Sequence, residues 1–294
     1  MQDSKFIHAL IVCAGVLALP ACSTTSPVTT GSTDPAAGDG DPKPTETVST
    51  PTGLSTSVAD KLGDGTTLSF AADGKEIKIP VHASRLGGEG APSLVVDGQD
   101  ENLVIDGVSY KLTHESESDS IVQGSAFALV MAGVGNDNQG AAFIGTGPAY
   151  GDTSEGADVK RFDILLRGTP TDPAKLPTTK ADYVGEYAAT FLRLDGGGVD
   201  QGTFNATADF GAAQSVTGSF VSDATGNEVG TLSAAISGNG FTGTGTMTED
   251  PDGLGDFAAA GMFTGDGATG IVGAGQRGTA STYDVVVFEG TKQP

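Results

Sequence analysis

The 294-residue chain carries 15 Lys and Arg against 37 Asp and Glu, a formal charge of −22, which argues against nucleic acid or an anionic membrane surface as a partner because like charges repel. Its apolar content of 37% is low but rules out full disorder, 45 residues are glycine and none is tryptophan, and the length suits one large or two small domains with extensions. Both cysteines, Cys13 and Cys22, lie at the extreme N-terminus, so the body has no thiol, no disulfide and no thiolate metal site.

Residues 1–21 read as an export signal: Lys5, an apolar run from Phe6 to Leu19, then Leu19-Pro20-Ala21-Cys22. The run is short for a permanent membrane helix. Its last four residues are similar to the bacterial lipobox, a resemblance that implies cleavage before Cys22 and fatty acylation (palmitate or a similar chain) of its thiol. Several acyl chains on one residue anchor firmly. Ser23, rather than Asp, follows the cysteine, which by the same resemblance favours the outer membrane. The alternative is an ordinary cleavable signal with a chance cysteine. Residues 22–57 are mostly Thr, Ser, Pro, Gly and Asp with almost no large apolar residue, and have prolines at Pro27, Pro35, Pro42, Pro44 and Pro51. Such a segment buries no core and reads as a disordered, polyproline-stiffened tether.

From residue 58 to 168 the pattern is strand-rich. Thr67–Phe70 and Ile77–His82 flank Asp73-Gly74, while Asn102–Ile105 and Val108–Leu112 flank Asp106-Gly107, each a two-residue hairpin signal. Leu94–Val96, Phe127–Met131, Ala141–Ile144 and Phe162–Leu166 are further strands. Residues 169–180, with Pro170, Pro173 and Pro177, read as a linker.

Across residues 181–294 the strands fall at regular spacing: Tyr183–Arg193, Gly202–Phe210, Gln214–Val221, Val229–Ser237, Gly240–Met247, Gly255–Phe263, Gly270–Gly275 and Ser281–Phe288. Eight such strands close into an antiparallel barrel without exposed edges. A barrel of this size is either filled by side chains or holds one small ligand. Phe191, Phe204, Phe210, Phe220, Phe241, Phe257, Phe263 and Phe288 suffice to fill it.

Within this region Gly238-Asn239-Gly240-Phe241-Thr242-Gly243 is followed by Gly261-Met262-Phe263-Thr264-Gly265 and Gly270-Ile271-Val272-Gly273. The pattern resembles the barrel domain of the transferrin-binding protein B superfamily over about the last third of the chain. Asp266 stands where that pattern has Pro, and no Glu precedes the final Gly. The resemblance implies an all-β fold: an eight-stranded antiparallel barrel preceded by a smaller β-rich, handle-like domain. It also implies an outer-membrane lipoprotein, on the cell surface or facing inward, that captures an iron source (a metal-loaded protein or haem) or another extracellular protein and hands it to an outer-membrane receptor. A structural envelope lipoprotein with no ligand is the competing class.

Histidine is scarce. After loss of the signal only His82 and His114 remain. With Tyr110, on the strand that carries Leu112, they are the candidate ligand residues, because imidazole and phenolate both ligate haem iron; the alternative is a pair of surface histidines. Loops Gly87–Pro92, Ser116–Gln123 and Gly133–Gly140 are candidate contact loops. Gly265-Asp266-Gly267-Ala268-Thr269-Gly270 matches a dinucleotide fingerprint, but it joins two strands where that motif needs a strand and a helix. Asp250–Asp256, Asn136-Asp137-Asn138 and Asp195–Asp200 read as acidic turns, since calcium loops need further ligands. No hydrolase elbow or zinc motif occurs, and the chain reads as a non-enzyme without a metal or a resident cofactor.

Overall fold

The computed structural model describes residues 53–72, 75–87, 92–97, 100–114, 125–148, 159–193, 196–248, 255–279 and 282–294. Cys22, the signal and nearly all of the tether therefore lie outside the described residues, as do the Asp73-Gly74 turn, most of the Asp250–Asp256 loop and loop Ser116–Gln123.

The C-terminal region is a closed barrel of β9 (Lys180–Arg193), β10 (Gly196–Asp209), β11 (Ser215–Ser222), β12 (Glu228–Ser237), β13 (Gly240–Met247), β14 (Gly255–Thr264), β15 (Gly270–Gly278) and β16 (Thr282–Lys292), closed by β16 against β9. Every neighbouring pair is antiparallel. Alternation sends Phe204, Phe220, Phe241, Phe257, Phe263 and Phe288 into one interior core, with Phe191 at its margin. Phe204 and Phe288 lie 4.5 Å apart between ring centroids, and Phe210 and Phe263 4.8 Å apart. The interior is packed with side chains. Glycine makes the fit: a Cβ on Gly273 would stand about 2.5 Å from Phe288 Cζ, and one on Gly261 would overlap Phe241 and the carbonyl of Val272. Phenyl rings lie across the strands where these glycines leave room.

Strand β10 starts six residues earlier than its sequence pattern suggests. Gly196–Gln201 pairs with β9 down to Arg193, so the acidic-turn reading of Asp195–Asp200 is corrected for its latter part. Asp200 is buried in the barrel, where it accepts hydrogen bonds from Tyr187 and from Ser222 (2.8 Å). The Gly265–Gly270 run is indeed a strand-to-strand turn between β14 and β15, with Gly265 and Gly267 at positive φ.

Before the barrel lies a sheet in the order β1 (Thr67–Ala72), β2 (Lys75–Arg85), β8 (Arg161–Arg167), β7 (Gly140–Gly147), β6 (Phe127–Gly135), β5 (Val108–His114), β4 (Asp100–Ile105), β3 (Ser93–Asp97). Two joins are parallel, β2 with β8 and β5 with β6. Asp106 and Gly107 both have positive φ (51° and 79°), the geometry of the tight hairpin their sequence specifies. A short helix α1 (Thr56–Lys61) begins within the residues read as tether. Six residues are too few to show helical periodicity; the helix is held by burial of Val58 and Leu62 between sheet and barrel.

One face of this handle sheet packs on the outside of the barrel. Phe127, Phe143, Phe162 and Ile164 meet Leu192, Met262, Val285 and Val287 in a single core. The intervening residues are stitched down as well: Thr171 N–H donates to Phe263 O (3.0 Å), Gly265 N–H to Thr169 O (2.8 Å), and Thr171 Oγ1 to Gly265 O (2.8 Å).

Candidate functional site

Because the barrel is full and one handle face is spent on it, what remains is the opposite handle face, a second and mostly buried apolar cluster that opens at one recess. On β8, Phe162, Ile164 and Leu166 point to the barrel, and Arg161, Asp163, Leu165 and Arg167 to the other side. Neighbouring strands add Ala128, Ile144, Leu103 and Ile105 as a second buried layer, with Leu86, Tyr110 and Leu112 half-buried around it. A recess of about 60 Å³ opens between Leu86, Leu94, Leu112, Val130 and Leu165. Its lining is almost wholly carbon, so it accepts an aliphatic side chain far better than a polar one.

A charged clasp edges this face. Arg161 Nε donates to both Asp163 carboxylate oxygens at 2.9 Å, and its NH1 reaches Asp106 Oδ2 at 2.9 Å. Asp106 sits at the β4–β5 turn, three strands from β8 in the sheet order, so the far strands curl back over the face. Burial pushes the Asp163 carboxyl above the ordinary carboxylate range, with Arg161 pulling it down. Asp163 is buried, Arg161 is mostly so and Asp106 is exposed, so removing Arg161 would strand the Asp163 carboxylate.

The candidate ligand residues occupy defined places in this sheet. His82 pairs with Asp163, Asp163 with Ile144, Ile144 with Val130 and Val130 with His114. The two histidines thus stand at opposite ends of one row, four strand spacings or roughly 19 Å apart. Tyr110 is four residues from His114 along β5, roughly 13 Å. The sheet does not gather the three around one iron. His82 instead places Nδ1 3.6 Å from Asp64 Oδ1, and Tyr110 packs beside Leu112.

Of the expected loop Gly133–Gly140, the first three residues belong to β6 and the last to β7, and the short turn between them is engaged within the chain. Asn136 Nδ2 and Gln139 Nε2 donate to Glu289 Oε2 at 2.9 and 2.8 Å, and Gln139 Nε2 also reaches Gly290 O at 2.7 Å. Thr264 donates to Gln139 Oε1. Asn136 Oδ1 accepts from the N–H groups of Asn138 and Gln139 (3.0 and 3.2 Å), so Asn136-Asp137-Asn138 is a side-chain-stabilised turn. Of this loop only Asp137 and Asn138 are exposed. Among the described residues no group of three or more His, Cys, Asp or Glu is placed to hold a metal ion.

No family model matches the chain, and no curated protein matches it. Solved structures do. The chain is similar in fold to lobes of transferrin-binding protein B. A point mutant of that vaccine antigen from Haemophilus parasuis aligns at 19% identity and TM-score 0.45, over 79% of this chain and 41% of that one. The isotype 1 protein of serogroup B Neisseria meningitidis aligns at 19% identity and TM-score 0.45, over 66% and 39%. The N-lobe domain of lactoferrin-binding protein B from Moraxella bovis aligns at 15% identity and TM-score 0.37, over 78% and 96%. The chain thus spans about two-fifths of the length of the transferrin-binding structures and nearly all of the isolated lobe. The sequence reading missed the clasp, the recess and the Gln139–Glu289 contact. Only the recess left a trace there, as the alternation of Leu103 with Ile105 and Tyr110 with Leu112.

Proposed function

We propose that this chain is a lipid-anchored outer-membrane binding protein that offers the outer face of its handle sheet to an extracellular protein. Cys22 carries the acyl anchor and residues 23–52 span from the membrane to the folded body. The captured protein is an iron carrier, passed on to a receptor in the same membrane. The observation that carries the binding role is the pairing of a barrel filled by aromatic side chains with an apolar recess on the outer handle face. A filled barrel leaves no room for a ligand inside, so recognition falls to a surface. The likeness of the barrel motif to transferrin-binding protein B supplies the class of ligand. A haem ligand is the less favoured form, since His82 and His114 are too far apart to share one iron.

The test is titration of the purified mature chain with iron-loaded transferrin, with lactoferrin and with haem. Saturable binding to a protein ligand, weakened at least tenfold by Leu112→Glu with the fold intact by circular dichroism, supports the reading. A Soret shift that depends on His82 or Tyr110, with no protein binding, replaces it by haem capture. Absence of all three leaves a structural lipoprotein. The anchor is tested separately: Cys22→Ala moves the chain from the detergent-released membrane fraction to the soluble one.

A further inference from the structure

A second feature lies on the opposite edge of the handle sheet. Among the described residues strand β1 ends the sheet, and its pairing with β2 fixes which backbone groups remain available there. Val81 N–H donates to Thr66 O at 2.9 Å, and Thr67 stands opposite Pro80, which has no N–H. Leu68 and Phe70 are therefore the residues that exchange hydrogen bonds with β2, while Thr67 and Ser69 turn their N–H and C=O to the open side. Sheets protect such edges with charge, proline or bulges. Strand β1, Thr-Leu-Ser-Phe-Ala-Ala, has neither charge nor proline.

This edge borders a shallow, solvent-open cleft of about 580 Å³. Thr66, Thr67 and Ser69 form one wall, and Ala258, Gln276 and Thr279 at the ends of β14 and β15 form the other, with the charged Asp256 and Arg277 beside them. Leu68 touches the barrel at Gly278, where an added Cβ would stand 3.1 Å from Leu68 Cδ2. The outward face of β14 changes along its length. Ala260 and Met262 are buried, Ala258 is half-buried and Asp256 is exposed. Helix α1 reaches the far end of that face: Val58 lies 3.0 Å from where a Cβ on Gly240 would be, and Gly240 pairs with Met262. The sheet and α1 thus cover β14 at one end and stop short at Ala258.

We propose that this cleft accepts a single extended peptide segment of a partner protein, which pairs with β1 as a ninth strand of the handle sheet. The added strand takes the free groups of Thr67 and Ser69, lays alternate small apolar side chains on Ala258 as Leu68 lies on Gly278, and turns the others to solvent. The barrel wall across the cleft excludes another sheet, so a second copy of this chain is the wrong occupant. Main-chain pairing supplies affinity and the Ala258 contact supplies specificity. The proposal deepens the binding reading and rests on it, yet is separable: β1 can fail to take a peptide while the outer handle face still binds protein.

The experiment is fluorescence anisotropy of a labelled, capped hexapeptide alternating Val and Thr, titrated with the full mature chain. The key variant is Ser69→Pro, which removes an N–H on the open side only and is tolerated on an edge strand. Wild type and Ser69→Ala bind saturably, and Ser69→Pro loses at least tenfold. Ser69→Lys, which keeps the N–H but adds an edge charge, provides a second variant if the proline chain does not fold. No saturable binding by wild type, or equal binding by both blocking variants, overturns the proposal. So does a dimer in sedimentation that Ser69→Lys abolishes, because that outcome makes a second copy the occupant.

Discussion

Gln139 and Glu289 lie 150 residues apart in the chain and meet in a buried hydrogen bond of 2.8 Å. The contact ties the β6–β7 turn of the handle to the last barrel strand. Its acceptor is a carboxylate served by two neutral amides, while Arg167 donates to the backbone carbonyls of Asn136 and Gln139 instead. Gln139→Ala leaves Glu289, Thr264 and the Gly290 carbonyl short of a partner. A loss of about 2 kcal/mol in denaturant unfolding is expected.

The same pair gives a pH dependence with a definite sign. Burial raises the Glu289 carboxyl above its usual range, Gln139 opposes this, and Glu186 nearby adds to it. The folded state therefore holds this proton to higher pH than the unfolded chain does. Its contribution to stability is fully present below the unfolded value of about 4.3 and is lost as pH rises through the folded value. Glu289→Gln removes this slope. Unfolding free energies at pH 4 and pH 7 should differ less in the variant than in wild type, after subtraction of the other titrations through a matched Asp137→Asn control.

Tyr283 projects from β16 into the handle–barrel interface, 5.7 Å from Phe143 and 5.8 Å from Phe162 between centroids. Its hydroxyl is buried without a hydrogen-bond partner among the described residues. Tyr283→Phe deletes a desolvated polar group and keeps the ring, so a gain of about 1 kcal/mol is expected. A thermal melt that falls instead would place an unseen partner on that oxygen.

Barrel packing is tested by adding as well as by removing volume. Phe288→Ala empties space beside Phe204, Phe220 and Phe241 and is expected to cost roughly 3–5 kcal/mol. Gly261→Ala drives a methyl into the Val272 carbonyl and Phe241. A backbone neighbour cannot give way as a flexible side chain can, so this single methyl is expected to cost about 1–3 kcal/mol, measured in the same assay.

The barrel was legible because most of its strands have one wet and one dry face, although the handle buries much of β14, β15 and β16 on both. Alternation fixed β13 at Gly240–Met247 to the residue, and the phenylalanines marked the inner face. Gly196–Gln201 escaped because glycine and aspartate suggest turns, whereas pairing with β9 makes them strand. The handle was harder. Its eight strands were visible, but β6, β7 and β8 are largely buried on both faces, and in β6 and β7 both faces are apolar, so alternation could not tell the barrel-facing side from the other. Neither the parallel joins nor the Asp106–Arg161 clasp leaves a local signal. They depend on which strands become neighbours.

The account centres on the outer handle face as the place where an extracellular protein docks. The direct measurement is site-specific photocrosslinking on intact cells, with p-benzoylphenylalanine at Tyr110 on that face and, as the control, at Thr244 on the exposed outside of β13. A crosslink from position 110 to one extracellular iron-carrying protein, with none from position 244, is the predicted result. Equal crosslinking from both positions, or none from position 110 while the ligand remains bound, would contradict it.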